Sequence, residues 1–221
     1  LTPAVSIVLL WLGFAGTHLV LSHLPVRDRV IARVGARPFQ GLYSLVALAF
    51  FVPMVSIYFG HIHEGPWLWM LPRGVILSGI VQLGMVVAFV LLVSGLVKPS
   101  PASVTPGAAV PTGAFRITRH PVVMGIGLFG LLHLLANAST TDVAFFGGFP
   151  LFAVVGARHQ DARKLAQKVS GYAEFVAATP FLPFTGRETL RGLRELSPVA
   201  LGIGIGAALL VRWAHRFWQG A

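Results

Sequence analysis

Gly74-VILSGIVQLGMVVAFVLLVSGL-Val97 holds no charged residue. A bilayer core takes about 20 apolar residues per helical crossing, so this run predicts a transmembrane helix. A barrel strand would instead alternate over about ten residues. Working outward, five further apolar runs predict helices over Pro3 to His23, Gly41 to Gly60, Pro121 to Asn137, Asp142 to Ala157 and Pro198 to Trp213. The expected fold class is all-α: a polytopic transmembrane helix bundle of about six spans, forming one domain over residues 1–221. Only Ala138-Ser139-Thr140-Thr141 separates the fourth and fifth runs, which predicts a tight hairpin with Ser139, Thr141 or Asp142 as helix cap.

Composition agrees. Of 221 residues 55% are hydrophobic and 11% charged, against about 25% charged in an ordinary soluble domain. Leu1 to Leu21 lacks a basic leading segment and a small-x-small cleavage site, so it is expected to be a retained helix. The chain has no cysteine. That removes disulfides, thiolate ligands and iron–sulfur clusters, and leaves histidine as the strong nitrogen ligand.

The net charge of +10 reads as membrane topology and not as nucleic-acid binding. Fourteen of the 17 basic residues fall in the loops after the first, third and fifth runs, and Arg73, Arg212 and Arg216 fall on the other side. The positive-inside bias then sets the basic loops in the cytoplasm and both termini outside, as in a bacterial inner-membrane protein. Trp67, Trp69, Trp213 and Trp218 fit an aromatic belt at the outer boundary. Val26 to Gln40 and Asp161 to Ala178 read as short amphipathic helices on the inner surface, the second ended by Pro180-Phe181-Leu182-Pro183. Asp161 and Glu174 are expected to pair with Arg158, Arg163 and Lys164. Lys98 to Gly113, rich in Pro, Ser, Ala and Gly, reads as a loop over the inner mouth.

Histidines within the spans carry the functional signal, because an imidazole in hydrocarbon needs a partner. His18 follows Gly16 and Thr17, small residues that let a helix or a flat ligand approach. His133 stands in Leu131-Leu132-His133-Leu134-Leu135, where it must donate an N–H or bind a metal. His120 opens a helix in Arg116-Ile117-Thr118-Arg119-His120-Pro121, whose free N–H groups suit an anion. His120 and His133 are 13 residues apart, about 20 Å along one helix, and cannot share a metal. By depth alone His18 pairs better with His120. His61, His63 and Glu64 read as a solvated outer loop, and His159 and His215 are given no role.

Phe14-Ala15-Gly16-Thr17-His18, Arg27-Asp28, Gly41-Leu42-Tyr43-Ser44-Leu45-Val46, Ile117-Thr118-Arg119-His120-Pro121, His133-Leu134-Leu135-Ala136-Asn137 and Thr179-Pro180-Phe181-Leu182-Pro183-Phe184 together resemble the NnrU family over roughly residues 10 to 190. That family includes 15-cis-zeta-carotene isomerases. The resemblance implies a haem b protein whose axial ligands are His18 and His133, with His120 as a supporting residue. Thr17, Arg116 and Arg119 are expected to complete the cofactor-binding set, and Arg119 and His120 to be catalytic. It implies redox-dependent cis–trans isomerisation of an apolar polyene taken from membrane lipid, a redox partner, and a link to nitrogen-oxide metabolism. Gly130 stands where the isomerase branch carries a cysteine.

Two other readings compete. Gly113 to Pro121 followed by Gly125 also looks like membrane isoprenylcysteine and phospholipid methyltransferases, in which Arg119 and His120 would face S-adenosylmethionine. A non-enzymatic haem sensor or electron carrier would share the haem site and lack a substrate cavity.

Overall fold

The computed structural model describes residues 1–72, 74–101 and 110–218. Among them run ten helices: α1 (Pro3–Ser22), α2 (Leu24–Val34), α3 (Ala36–Gly60), α4 (Val75–Val97), α5 (Ala114–Ile117), α6 (Pro121–Ala136), α7 (Thr140–Ala166), α8 (Tyr172–Ala178), α9 (Thr189–Arg194) and α10 (Pro198–Trp218). Arg73, residues 102–109 of the expected mouth loop, and the side chains of Arg216 and Trp218 lie outside the described residues.

The bundle is all-α. The described residues form no strand, only an isolated bridge between Trp67 and Ser139. Helices α1, α3, α4, α7 and α10 are long and apolar enough to cross a membrane, and α6, with 16 residues, is a shorter apolar sixth. They pack in the order α3, α1, α7, α6, α4, α10. The largest core cluster sits where α1, α3 and α7 meet, and holds Ile7, Trp11, Met54, Tyr58, Phe145 and Phe146. Ile76, Leu83, Leu151 and Leu209 point outward, as lipid-facing side chains do.

Glycine lets α6 wedge between its neighbours. A Cβ on Gly125 would lie 2.6 Å from the Ala88 carbonyl of α4, and one on Gly130 would lie 2.6 Å from the Phe146 carbonyl of α7. Small residues at such crossings are how apolar helices gain contact inside lipid.

Several expected boundaries move. The fifth span does not end at Ala157 but runs on as α7 to Ala166, so Asp161 belongs to its last turns and not to a separate surface helix. What remains of that surface segment is α8. The Val26–Gln40 segment divides at Gly35 (φ 88°) into α2 and the start of α3.

Ser139 caps α7 in a full capping box: its Oγ accepts from the Asp142 N–H at 3.2 Å, and Asp142 Oδ2 accepts from the Ser139 N–H at 3.1 Å. The α3–α4 loop clasps this hairpin, with the Leu68 N–H on the Ala138 carbonyl at 2.8 Å and Trp69 Nε1 on the Leu134 carbonyl at 3.0 Å.

At the basic end, Glu195 holds α5 to α9. It accepts from Arg116 Nε at 2.7 Å, the Gly113 N–H at 3.1 Å and Arg191 Nε at 2.8 Å. These donors, Arg116 first, hold the Glu195 carboxyl down at about 2. A carboxyl whose folded value lies below its unfolded value stabilises above the unfolded value, and that contribution disappears as pH falls through the folded one. The melting advantage of the wild type over Glu195→Gln is therefore expected to shrink as pH drops from about 4.5 towards about 2. A pH-independent difference between the two would show that the carboxylate charge is not what matters.

Candidate cofactor site

His18 and His133 share one local geometry. His18 Nδ1 lies 3.1 Å from the Phe14 carbonyl and His133 Nδ1 lies 2.9 Å from the Phe129 carbonyl, each four residues back on its own helix. A carbonyl can only accept, so each Nδ1 carries the proton and donates it. That fixes the tautomer and leaves the Nε2 lone pair as an acceptor, open to a donor or a metal. Helix periodicity produces this arrangement, since residue i−4 lies directly below the side chain.

Aromatic rings hold both imidazoles. His18 touches Phe14 (4.2 Å between centroids), Tyr43 (4.7 Å) and Phe152 (5.3 Å). His133 touches Phe129 (4.2 Å) and stacks on Phe146 (4.1 Å, 12° between planes). Their α7 neighbours, Phe152 and Phe146, are separated by about 9 Å along the axis and about 120° around it. The imidazoles therefore address α7 from the α1 and the α6 side and do not touch. Phe149 lies between those levels, 5.0 Å from Trp11 and 6.0 Å from Phe129.

Among the described residues no group of three or more His, Asp or Glu side chains could hold a bare ion. Histidine is an axial ligand of haem iron, but these two imidazoles stand at levels of α7 about 9 Å apart with Phe149 between those levels, and the structure does not bring them to one point.

The other expected site residues lie elsewhere. His120 and Arg119 share Asp161: His120 Nε2 donates to Oδ1 at 2.7 Å and Arg119 Nε to Oδ2 at 2.8 Å. The Tyr172 hydroxyl donates to Oδ1 at 2.5 Å. Arg119 also donates to the Thr179 carbonyl at 3.1 Å, and its guanidinium lies over the Phe181 ring at 4.9 Å. Asp161 thus pairs with groups from α6 and α8, and not with the expected Arg158, Arg163 and Lys164. Arg158 and Lys164 stand three residues to either side on α7, on the same face, yet Arg119, His120 and Tyr172 take the oxygens of Asp161. The cluster ties the start of α6 to the end of α7 and to the Thr179–Phe184 segment. It also occupies the Arg119 and His120 donors that a methyltransferase-like site would turn on its cofactor. Arg116 is engaged by Glu188 and Glu195. Thr17 returns its hydroxyl to the Gly13 carbonyl at 2.7 Å.

Two features escape a reading of the sequence. His63 Nδ1 lies 2.9 and 3.0 Å from the two oxygens of Asp142, which also accepts from the Tyr58 hydroxyl at 2.8 Å. A half-exposed loop histidine thus closes over a fully buried carboxylate, and His61 turns instead to Glu64 at 2.6 Å. The second feature is His215 on α10, whose ring lies 6.3 Å from His133 and whose Nδ1 donates to the Val211 carbonyl at 2.8 Å. The signal available was an apolar residue four positions before each of three histidines, a spacing too common to single any of them out.

Comparison with known proteins agrees with this architecture. The NnrU protein family matches residues 6–221. The chain is 28% identical to a protein of Arabidopsis thaliana named 15-cis-zeta-carotene isomerase, chloroplastic, in an alignment covering 100% of this chain and 62% of that one. It is 27% identical to a Zea mays protein of the same name, over 84% of this chain and 52% of the other. The chain therefore spans about half to three-fifths of the length of these relatives. No solved structure gives a significant match. A family match over nearly the whole length, on an all-α membrane bundle, means that the chain belongs to the NnrU family.

Proposed function

We propose that this chain is a membrane isomerase of an apolar polyene, of the 15-cis-zeta-carotene type, with haem b held between His18 and His133. One observation carries the reading: both imidazoles give their Nδ1 proton to their own helix and keep Nε2 for a ligand. Bound there, the haem would supply a redox-active iron beside the double bond to be rotated.

The chain's own residues would do the rest. His18 and His133 would hold the group from two helices. Phe14, Phe129, Phe146 and Phe152 fix the ring planes and keep water out, and their faces offer a polyene an apolar wall. The bias of Arg and Lys supports an orientation with α2, α8 and α9 in the cytoplasm and both termini outside. A role in nitrogen-oxide metabolism would rest on the same two histidines.

The test is the visible spectrum of protein purified after growth with a haem precursor, before and after dithionite. A low-spin Soret band that moves on reduction is expected, together with conversion of 15-cis-zeta-carotene by the reduced form only. A colourless protein ends the proposal. A red protein inert towards the carotene leaves a haem carrier or sensor in its place.

A further inference from the structure

The basic end of the bundle contains a cavity of about 160 Å³ between α1, α3, α6 and α7, lined by His18, Tyr43, Val123, Phe152, His159 and Arg163 among others. Its walls differ along its length. Val123 and Phe152 are apolar, whereas Tyr43, His159 and Arg163 are polar, and the Ser22 hydroxyl lies 3.2 Å from His159 Nδ1 at the same end.

Arg163 is out of balance there. Its Nε is buried and has no hydrogen-bond partner among the described residues. Among the described residues no carboxylate lies within ion-pair distance of it, and the charge of Arg27 acts on it from across the helix junction. Asp161 cannot help: it sits two residues earlier, about 200° around α7, and is held by Arg119, His120 and Tyr172. A part-buried guanidinium whose Nε has no acceptor is costly, and an anion from outside would complete it. Guanidinium also matches phosphate oxygens in geometry.

We propose that this cavity is a phosphate-binding site, with Arg163 as its principal donor, Arg27 adding long-range attraction, and the Val123–Phe152 wall taking the apolar part of a phospholipid. The shared chemistry is a phosphate oxyanion, whether carried by a lipid headgroup or free. The cavity shares its His18 and Phe152 wall with the proposed haem site, and Arg163 belongs to the phosphate site alone.

Thermal unfolding of the full chain in neutral detergent tests it, with three probes: short-chain phosphatidic acid, the matching uncharged diacylglycerol, and inorganic phosphate. Phosphatidic acid is expected to raise the midpoint and diacylglycerol to leave it unmoved. A rise with inorganic phosphate of the same size would assign the site to free phosphate, and a smaller rise to the lipid. Arg163→Met should weaken the phosphatidic acid response about tenfold or more, because charge-assisted hydrogen bonds are lost. Arg187→Gln, an exposed cation elsewhere, should keep it. Arg163→Met should melt no lower than wild type without probes, since it removes an unpaired, part-buried charge. An unmoved wild type, or a full response in Arg163→Met, overturns the proposal. If Arg163→Met does not fold, native mass spectrometry of the wild type decides instead: preferential retention of phosphatidic acid over diacylglycerol supports the site, and equal retention refutes it.

Discussion

His18→Ala and His133→Ala are each expected to lose most bound haem, read as the Soret absorbance per mole of protein. Removing even an outer-shell partner of a metal ligand typically weakens metal binding 10–100-fold, so losing the ligand itself should weaken it by more than about 100-fold. Neither imidazole anchors the fold, because each makes its hydrogen bond to its own helix and otherwise touches only rings. Both variants should therefore purify with wild-type helicity, which separates loss of the group from loss of the protein. His120→Ala should retain colour, since its Nε2 faces Asp161. His215→Ala is the sharper control. Its ring is 6.3 Å from His133, so bleaching in His215→Ala with colour retained in His18→Ala would move the axial pair to α6 and α10.

Asp161→Ala should cause the largest loss of stability by a single side chain. Its carboxylate is the only acid shared by Arg119 and His120, whose side chains are 14% and 4% exposed. Removing one partner of a buried ion pair costs about 3–5 kcal/mol, because the remaining charge stays buried and unpaired. For a chain of this size that corresponds to a fall of roughly 6–20 °C in melting midpoint. Asp161→Asn keeps one acceptor oxygen and should fall in between. Haem content should not change in either variant at temperatures where they stay folded. A midpoint within about 2 °C of wild type in Asp161→Ala would mean that water reaches the cluster and screens it.

The sequence showed the spans where hydropathy is continuous, and failed where tertiary partners change what a charged residue means. Gly74 to Val97 and α4 agree to a residue because nothing interrupts the run. Helix α7 was cut short because Arg158, His159 and Asp161 end the apolar stretch, yet the backbone stays helical: Asp161 is neutralised by residues more than ten positions away in either direction. The four-residue α5 and six-residue α9 have no periodicity to read and depend on Glu195. In the candidate site, the local half was legible, since a histidine and its i−4 carbonyl follow from helix geometry. The relation of His133 to His215, and of His63 to Asp142, depends on which helices pack together, and spacing along the chain does not encode that.

The brevity of α6 bears on the surrounding bilayer. Sixteen residues give about 24 Å of helix, about 6 Å less than a typical hydrocarbon thickness. Where lipid borders this part of the bundle, a short span can be matched by local thinning of the bilayer, which would bring headgroups and water towards an end of α6 such as its proline-led start. Such a local depression would favour thinner membranes for this protein, and would place the charged knot at His120 at the floor of a shallow hydrated dent instead of in oil.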